Sequence, residues 1–161
     1  MTDRTHAGTG TKRAGGAIAG ALIAGLGLSA VMLLGEKLGG KPSELIGLER
    51  NTAAKLDIGT RTGDAPATAA EQLVTHGGHL ALSALAGLAY AAAVDEASDG
   101  VAAGAVFGLA FYVSTYGLAG PLLGVTPPPW RDQPLRAVQH PIVHMAFGIA
   151  AALFARRATR G

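Results

Sequence analysis

Charge is absent over long stretches of this chain. No Asp, Glu, Lys or Arg occurs at 14–35, 72–94, 100–130 or 137–155. Within these stretches apolar residues follow one another without the polar face that a surface helix of a soluble protein keeps. At 1.5 Å per residue, about 20 such residues cross a ~30 Å hydrocarbon layer. The pattern predicts four membrane spans, at about 14–38, 70–94, 100–120 and 137–156. The first is too long for the apolar core of a signal peptide and no small-residue cleavage site follows it, so it reads as a span.

The segments between the runs carry turn and cap signals. Residues 1–13 read as a mobile polar tail ahead of a single four-helix integral membrane domain, 14–161. Gly39, Gly40 and Pro42 end the first helix, and 39–69 is a polar loop. Within it Pro42, Ser43 and Glu44 can cap a short helix that lays Leu45, Leu48 and Leu56 on the membrane surface. Thr68 and Glu71 have the spacing of a capping box for the second span. Residues 95–100 form a tight turn, Pro121 is expected to stop the third helix, and Pro127, Pro128 and Pro129 exclude helix after it. Trp130 beside Arg131 suits a membrane–water interface. The fourth helix is expected to begin near Pro134, kink at Pro141 and end at Arg156 and Arg157.

Two self-similarities suggest how these helices are related. Residues 16–24 align on 100–108, while His79, Ser83 and Gly87 align on His144, Gly148 and Ala152. The expected architecture is therefore all-α, a four-helix transmembrane bundle built as two tandem hairpins in direct repeat. Gly16 and Gly20, then Gly100, Gly104 and Gly108, recur at steps of four. With Gly87 and Gly148 they are expected to let helix backbones approach closely, which drives association where no hydrophobic effect acts between helices.

Composition narrows the chemistry. Hydrophobic residues make up 49% and charged residues 15%, with 24 glycines, which is unlike a soluble enzyme of this size. The absence of cysteine excludes disulfides, thiolate metal sites and cysteine nucleophiles. A formal charge of +2 without a basic–aromatic stripe gives no reason to expect nucleic-acid binding. The expected partner is the lipid bilayer, with a homo-oligomer or a larger membrane complex as further possibilities.

Polar residues inside the runs are the candidate functional groups, because ionisable side chains are costly in a membrane. Glu36, His76, His79, Tyr112, Thr115, Tyr116, His140 and His144 all fall in the half of the bundle nearer the long loop. His76 and His79 are spaced i, i+3, and His140 and His144 i, i+4, so each pair shares a helix face. These histidines are open to four readings. They can hydrogen-bond across helices, relay protons, hold a metal with Glu36, or ligate a haem through His79 and His144. No spacing specifies a cofactor, and none is expected. No nucleophile–base pair indicates an enzyme. Basic residues are nearly balanced between the two sides; their density at the ends of the chain places both termini in the cytoplasm.

The segment 20–36 ending in Glu36, a histidine opening the second span, and GPLLGVTPP from Gly120 to Pro128 resemble the YagU-like family of small bacterial inner-membrane proteins. The histidine-led last helix ending in Arg156 and Arg157 continues the resemblance, and Glu36, His79, Pro127, Pro128 and His144 carry it most directly. Where that family is expected to follow the glutamate with a proline-proline-arginine element, this chain has GGKPS. The resemblance implies a multi-pass inner-membrane protein and supplies no reaction. Two functions follow as expectations: handling of protons, ions or small solutes by the polar cluster, or an accessory subunit packed into a larger complex.

Overall fold

A computed structural model describes residues 3–59 and 63–160, with the side chains of 3–8 outside the description. All the described secondary structure is helical: α1 (Asp3–Gly39), α2 (Glu44–Lys55), α3 (Ala69–Ala93), α4 (Val101–Tyr112), a π-helical segment (Val113–Ala119), α5 (Gly120–Leu123) and α6 (Pro134–Arg160), with short 3₁₀ turns at Glu96–Ser98 and Pro129–Arg131. Helix reaches back to Asp3, into the segment expected to be a mobile tail. No proline interrupts 3–13, so nothing there stops the backbone ladder.

The local signals operate as read at two starts. Ser43 caps α2 by accepting from the Ile46 N–H. Thr68 and Glu71 close a capping box on α3, each side chain taking the other's backbone N–H.

Pro121 does not end the third helix. The helix opens into π geometry over Val113–Ala119, where the Gly120 N–H reaches the Thr115 carbonyl five residues back. The wider turn absorbs the proline's missing donor and its ring, and α5 continues to Leu123. Termination falls instead at Gly124, at φ 66°. There the Gly124 N–H bonds the Pro121 carbonyl and the Val125 N–H bonds the Gly120 carbonyl, a Schellman closure that needs the left-handed residue.

Close glycine contacts define the packing. A side chain on Gly20 would strike the backbone of Ala150, and one on Gly16 that of Phe154, so α1 runs antiparallel to α6. Gly87 meets Ala17 and Ile18, which sets α3 antiparallel to α1. Gly104 meets Gly148, and Gly108 meets His144 and Met145, which sets α4 antiparallel to α6. Gly100, expected among these residues, packs against no helix: it lies in the turn before α4, with only the Ser98 carbonyl near it. The helices therefore run up and down in order, with α1 and α6 central, α3 on the far side of α1 and α4 on the far side of α6. The shared core is small-residue: Ala17, Ala21, Ala151, Ala152 and Ala155 around Tyr90.

Among the described residues, three helical stretches are long and apolar enough to cross a membrane: Thr9–Gly39, Val101–Leu123 and Pro134–Arg160. Their outer surfaces carry Val31, Val106, Leu122 and Val138, all well exposed. Large aliphatics outside and alanine inside is the inverse of a water-soluble bundle. α3, expected as a further span, is long enough at 25 residues but is not among these three. Its first half carries Gln72, His76 and His79.

Candidate functional site: a polar seam under a surface helix

The polarity of α3 is sorted by face. Leu73, Val74, Leu82, Leu85 and Leu88 point outward and are exposed. The inner face carries Gln72, Thr75, His76, His79 and Ser83 at helical spacing, and only then Ala86, Gly87 and Tyr90. Thr75, His76 and Ser83 are buried. His79 Nδ1 and Ser29 Oγ of α1 share a 3.1 Å hydrogen bond, and the Ser83 hydroxyl donates to the His79 carbonyl.

His76 is the anomaly. It is 9% exposed, and neither ring nitrogen has a hydrogen-bond partner. Thr75 Oγ1 and Gln72 Oε1, on the same face, are buried and unpaired too. A buried polar group without a partner costs about 1–3 kcal/mol, so several together on one face make this a candidate site for water or another polar guest. Glu36 stands at this end of α1, within electrostatic reach of His76. Its carboxylate accepts from the Ser43 N–H at 2.8 Å and from the Gln72 side-chain amide.

A second column rises on α4 and α6. Tyr112 stacks with Tyr116 at 5.6 Å between ring centroids, because the two are neighbours on one helix face. His144 packs beside Tyr112 at 5.4 Å, and His140 meets Tyr116 edge-on at 4.5 Å. The His144 Nδ1–H donates to the His140 carbonyl at 2.8 Å, which leaves its Nε2 as the free acceptor. Thr115 does not join this column. It is exposed and returns its hydroxyl to the Phe111 carbonyl of its own helix, on the outer side of the π segment.

α2 lies across the loop end and ties both columns. His140 Nε2–H donates to Glu44 Oε2 at 2.8 Å, and Arg136 pairs with the other Glu44 oxygen. Arg50, buried, donates to Glu71 and to the carbonyls of Gly63 and Ala65. The Tyr116 hydroxyl donates to Asp132 at 2.7 Å. The hydrogen bond from His140, reinforced by the charge of Arg136, holds the Glu44 carboxyl below its ordinary value. The Tyr116 hydroxyl does the same for Asp132. Of the loop prolines, Pro128 caps the 3₁₀ turn that presents Asp132, and Pro127 precedes it, exposed.

His79 stands within electrostatic reach of both His76 and His144, so the two columns approach one another at mid-depth. Among the described residues, no three His, Asp or Glu side chains converge in a geometry that would hold a metal ion. The histidines form two files, not one four-histidine cage.

The opposite end of the bundle carries a polar cluster of its own. Arg13, 6% exposed, donates Nε and Nη2 to Asp99 at 2.8 Å each. It also donates to the carbonyls of Ala91 and Val94, at 2.6 Å each, closing the C-terminus of α3. Tyr90 donates to Asp99 at 2.8 Å and packs edge-on to Phe107. This clasp fastens α1 to the α3–α4 turn. Its only sequence signal is an arginine at the edge of a span and an acidic turn opposite it.

No protein-family model, no curated protein and no solved structure matches this chain.

Proposed function

We propose that this chain is a small multi-pass membrane protein that handles protons, or small polar species exchanging protons, through the seam between α3 and the α4–α6 column. The observation that carries the reading is the inner face of α3, where His76 is buried with both ring nitrogens unpaired among Gln72, Thr75 and Glu36. A file of histidines, tyrosines and carboxylates that titrate or share protons is the usual material of a proton relay. In this reading α3 is a fourth span, because its outer face is as apolar as its neighbours and its polar groups all point inward. Two tandem hairpins, termini in the cytoplasm and a place beside the YagU-like proteins of bacterial inner membranes belong to the same proposal.

The test is proton flux in proteoliposomes carrying an internal pH dye, driven by a potassium diffusion potential. Wild-type protein is expected to acidify the lumen. His76→Leu and His79→Leu, checked for native helicity and elution volume, are expected to lower the rate at least tenfold. Flux equal to that of empty vesicles would overturn the proposal. A stoichiometric metal or a Soret band, lost in His79→Ala and His144→Ala, would replace it with ligand chemistry.

A specific feature favours one second reading. Gly27 and Gly35 on α1, and Gly77 and Gly78 on α3, are exposed and face open space. Small residues on an outer face suit close approach of another helix, as in an accessory subunit. Purification from the native membrane with stoichiometric foreign chains would support that reading over a self-contained pathway.

A further inference from the structure

At the terminal end, the last turns of α6 carry Arg156, Arg157 and Arg160. Arg156 and Arg160, with Thr159, form one wall of an open cavity of about 510 Å³ whose other wall is Glu96, Ala97 and Asp99. A second cavity of about 390 Å³ adjoins it on the same arginines and is floored by Leu153. Leu153 and Phe154, one turn deeper, are 43% and 38% exposed. Cationic groups thus stand directly above an open apolar surface.

The charges in the cavity are not spent. Asp99 is already satisfied by Arg13 and Tyr90. Among the described residues, neither Glu96 nor any of the three arginines has an ion-pair partner. Complementing the helix dipole accounts for basic residues in a final turn; Glu96, which also lies in the field of Arg13, faces them across the cavity. Arg156 and Arg160 against Glu96 leave one positive charge, with a carboxylate acceptor on the opposite wall.

We infer that this cavity is a binding site for a glycerophospholipid headgroup bearing an N–H or O–H donor, such as phosphatidylethanolamine or phosphatidylglycerol. The phosphodiester pairs with the forks of Arg156 and Arg160. The headgroup donor is received by Glu96, and the acyl chains descend along Leu153 and Phe154. Phosphatidylcholine, whose trimethylammonium has no donor, satisfies only half of the site. The assignment requires a bilayer at this level but not the proton relay at the other end.

The experiment is native mass spectrometry of the full chain in mild detergent. It is titrated with phosphatidylethanolamine, phosphatidylglycerol and phosphatidylcholine of identical acyl chains, with inorganic phosphate as competitor. Both donor-bearing lipids are expected to bind about tenfold tighter than phosphatidylcholine, the ratio that one good charge-assisted contact gives. R156Q/R160Q should weaken all three lipids, whereas E96A, which removes the acceptor, should bring the two donor-bearing lipids down to phosphatidylcholine. Equal affinity for the three lipids in wild type would overturn the inference. So would displacement of the lipids by millimolar phosphate, which would make the site one for free phosphate. Membrane extraction of both variants, run alongside, separates loss of the site from loss of membrane insertion.

Discussion

Replacing Asp99 by Asn tests how much of this fold hangs on the terminal clasp. The substitution keeps an acceptor for Tyr90 but strips the counter-charge from Arg13, whose side chain is 8% exposed against 2% for Asp99. Two scales compete for the magnitude. Polar contacts between membrane helices average about 0.6 kcal/mol each, whereas an uncompensated buried charge costs about 3–5 kcal/mol. Of Arg13's four bonds, the two to helix-end carbonyls and the one to Oδ1 survive, but the Nε bond to Oδ2 and the counter-charge are lost. The low exposure puts the second scale in charge, and the expected loss is about 3 kcal/mol. Arg13→Met should cost a similar amount, since it strands the carboxylate and reopens the C-terminus of α3. The double variant should cost less than the sum, by about 2 kcal/mol. Reversible unfolding in mixed micelles by added dodecyl sulfate, followed by far-UV circular dichroism, measures all three. Single losses under about 1 kcal/mol that add without coupling would show that water, not protein, solvates this pair.

Other outcomes follow from packing and titration. Gly108→Ala drives a methyl into the His144 backbone and should destabilise by about 1–3 kcal/mol in the same assay. Gly27→Ala meets open space and should be neutral or stabilising by up to about 1 kcal/mol, unless that face is occupied by another chain. Glu44 and Asp132 are held below their ordinary values of 4.5 and 3.8, so the folded state gives up their protons more readily than the unfolded chain. Their stabilisation is complete above those values and disappears as pH falls through the lowered ones. The lone Trp130, beside the Asp132 turn, should report an acid transition in its fluorescence below pH 3.8, and Tyr116→Phe should move that transition upward.

What could be read from the chain was what is local. Ser43, Thr68 and Glu71 act within a few residues of themselves, and their caps form as spacing implies. Of the four spans that the uncharged runs predict, three are helical stretches apolar enough to cross a membrane, because bilayer thickness is a property of length and composition. Other features were not legible there. Pro121 was expected to break a helix, but the π segment accommodates it, and the same widening leaves Thr115 outside the seam. Gly100 has the spacing of a packing residue, yet it lies in a turn. Asp99, in a polar turn, gives no hint of a guanidinium waiting from 86 positions away. The histidine pairs were legible as pairs on a face. That one ring would be buried bare and another tied to a surface helix was not, since both depend on where α2 crosses the bundle.

The sorted faces of α3 also bear on how the protein is made. A segment presented to lipid alone exposes both faces, and Gln72, Thr75, His76 and His79 would then lie against hydrocarbon. Such a helix gains little by leaving the insertion machinery until a neighbour can shelter its inner side. α1, synthesised first and packed along that side through Gly25 and Ala17, is the neighbour available. With α3 as the proposed fourth span, assembly is ordered by the chain itself, and α1 acts as the chaperone of α3.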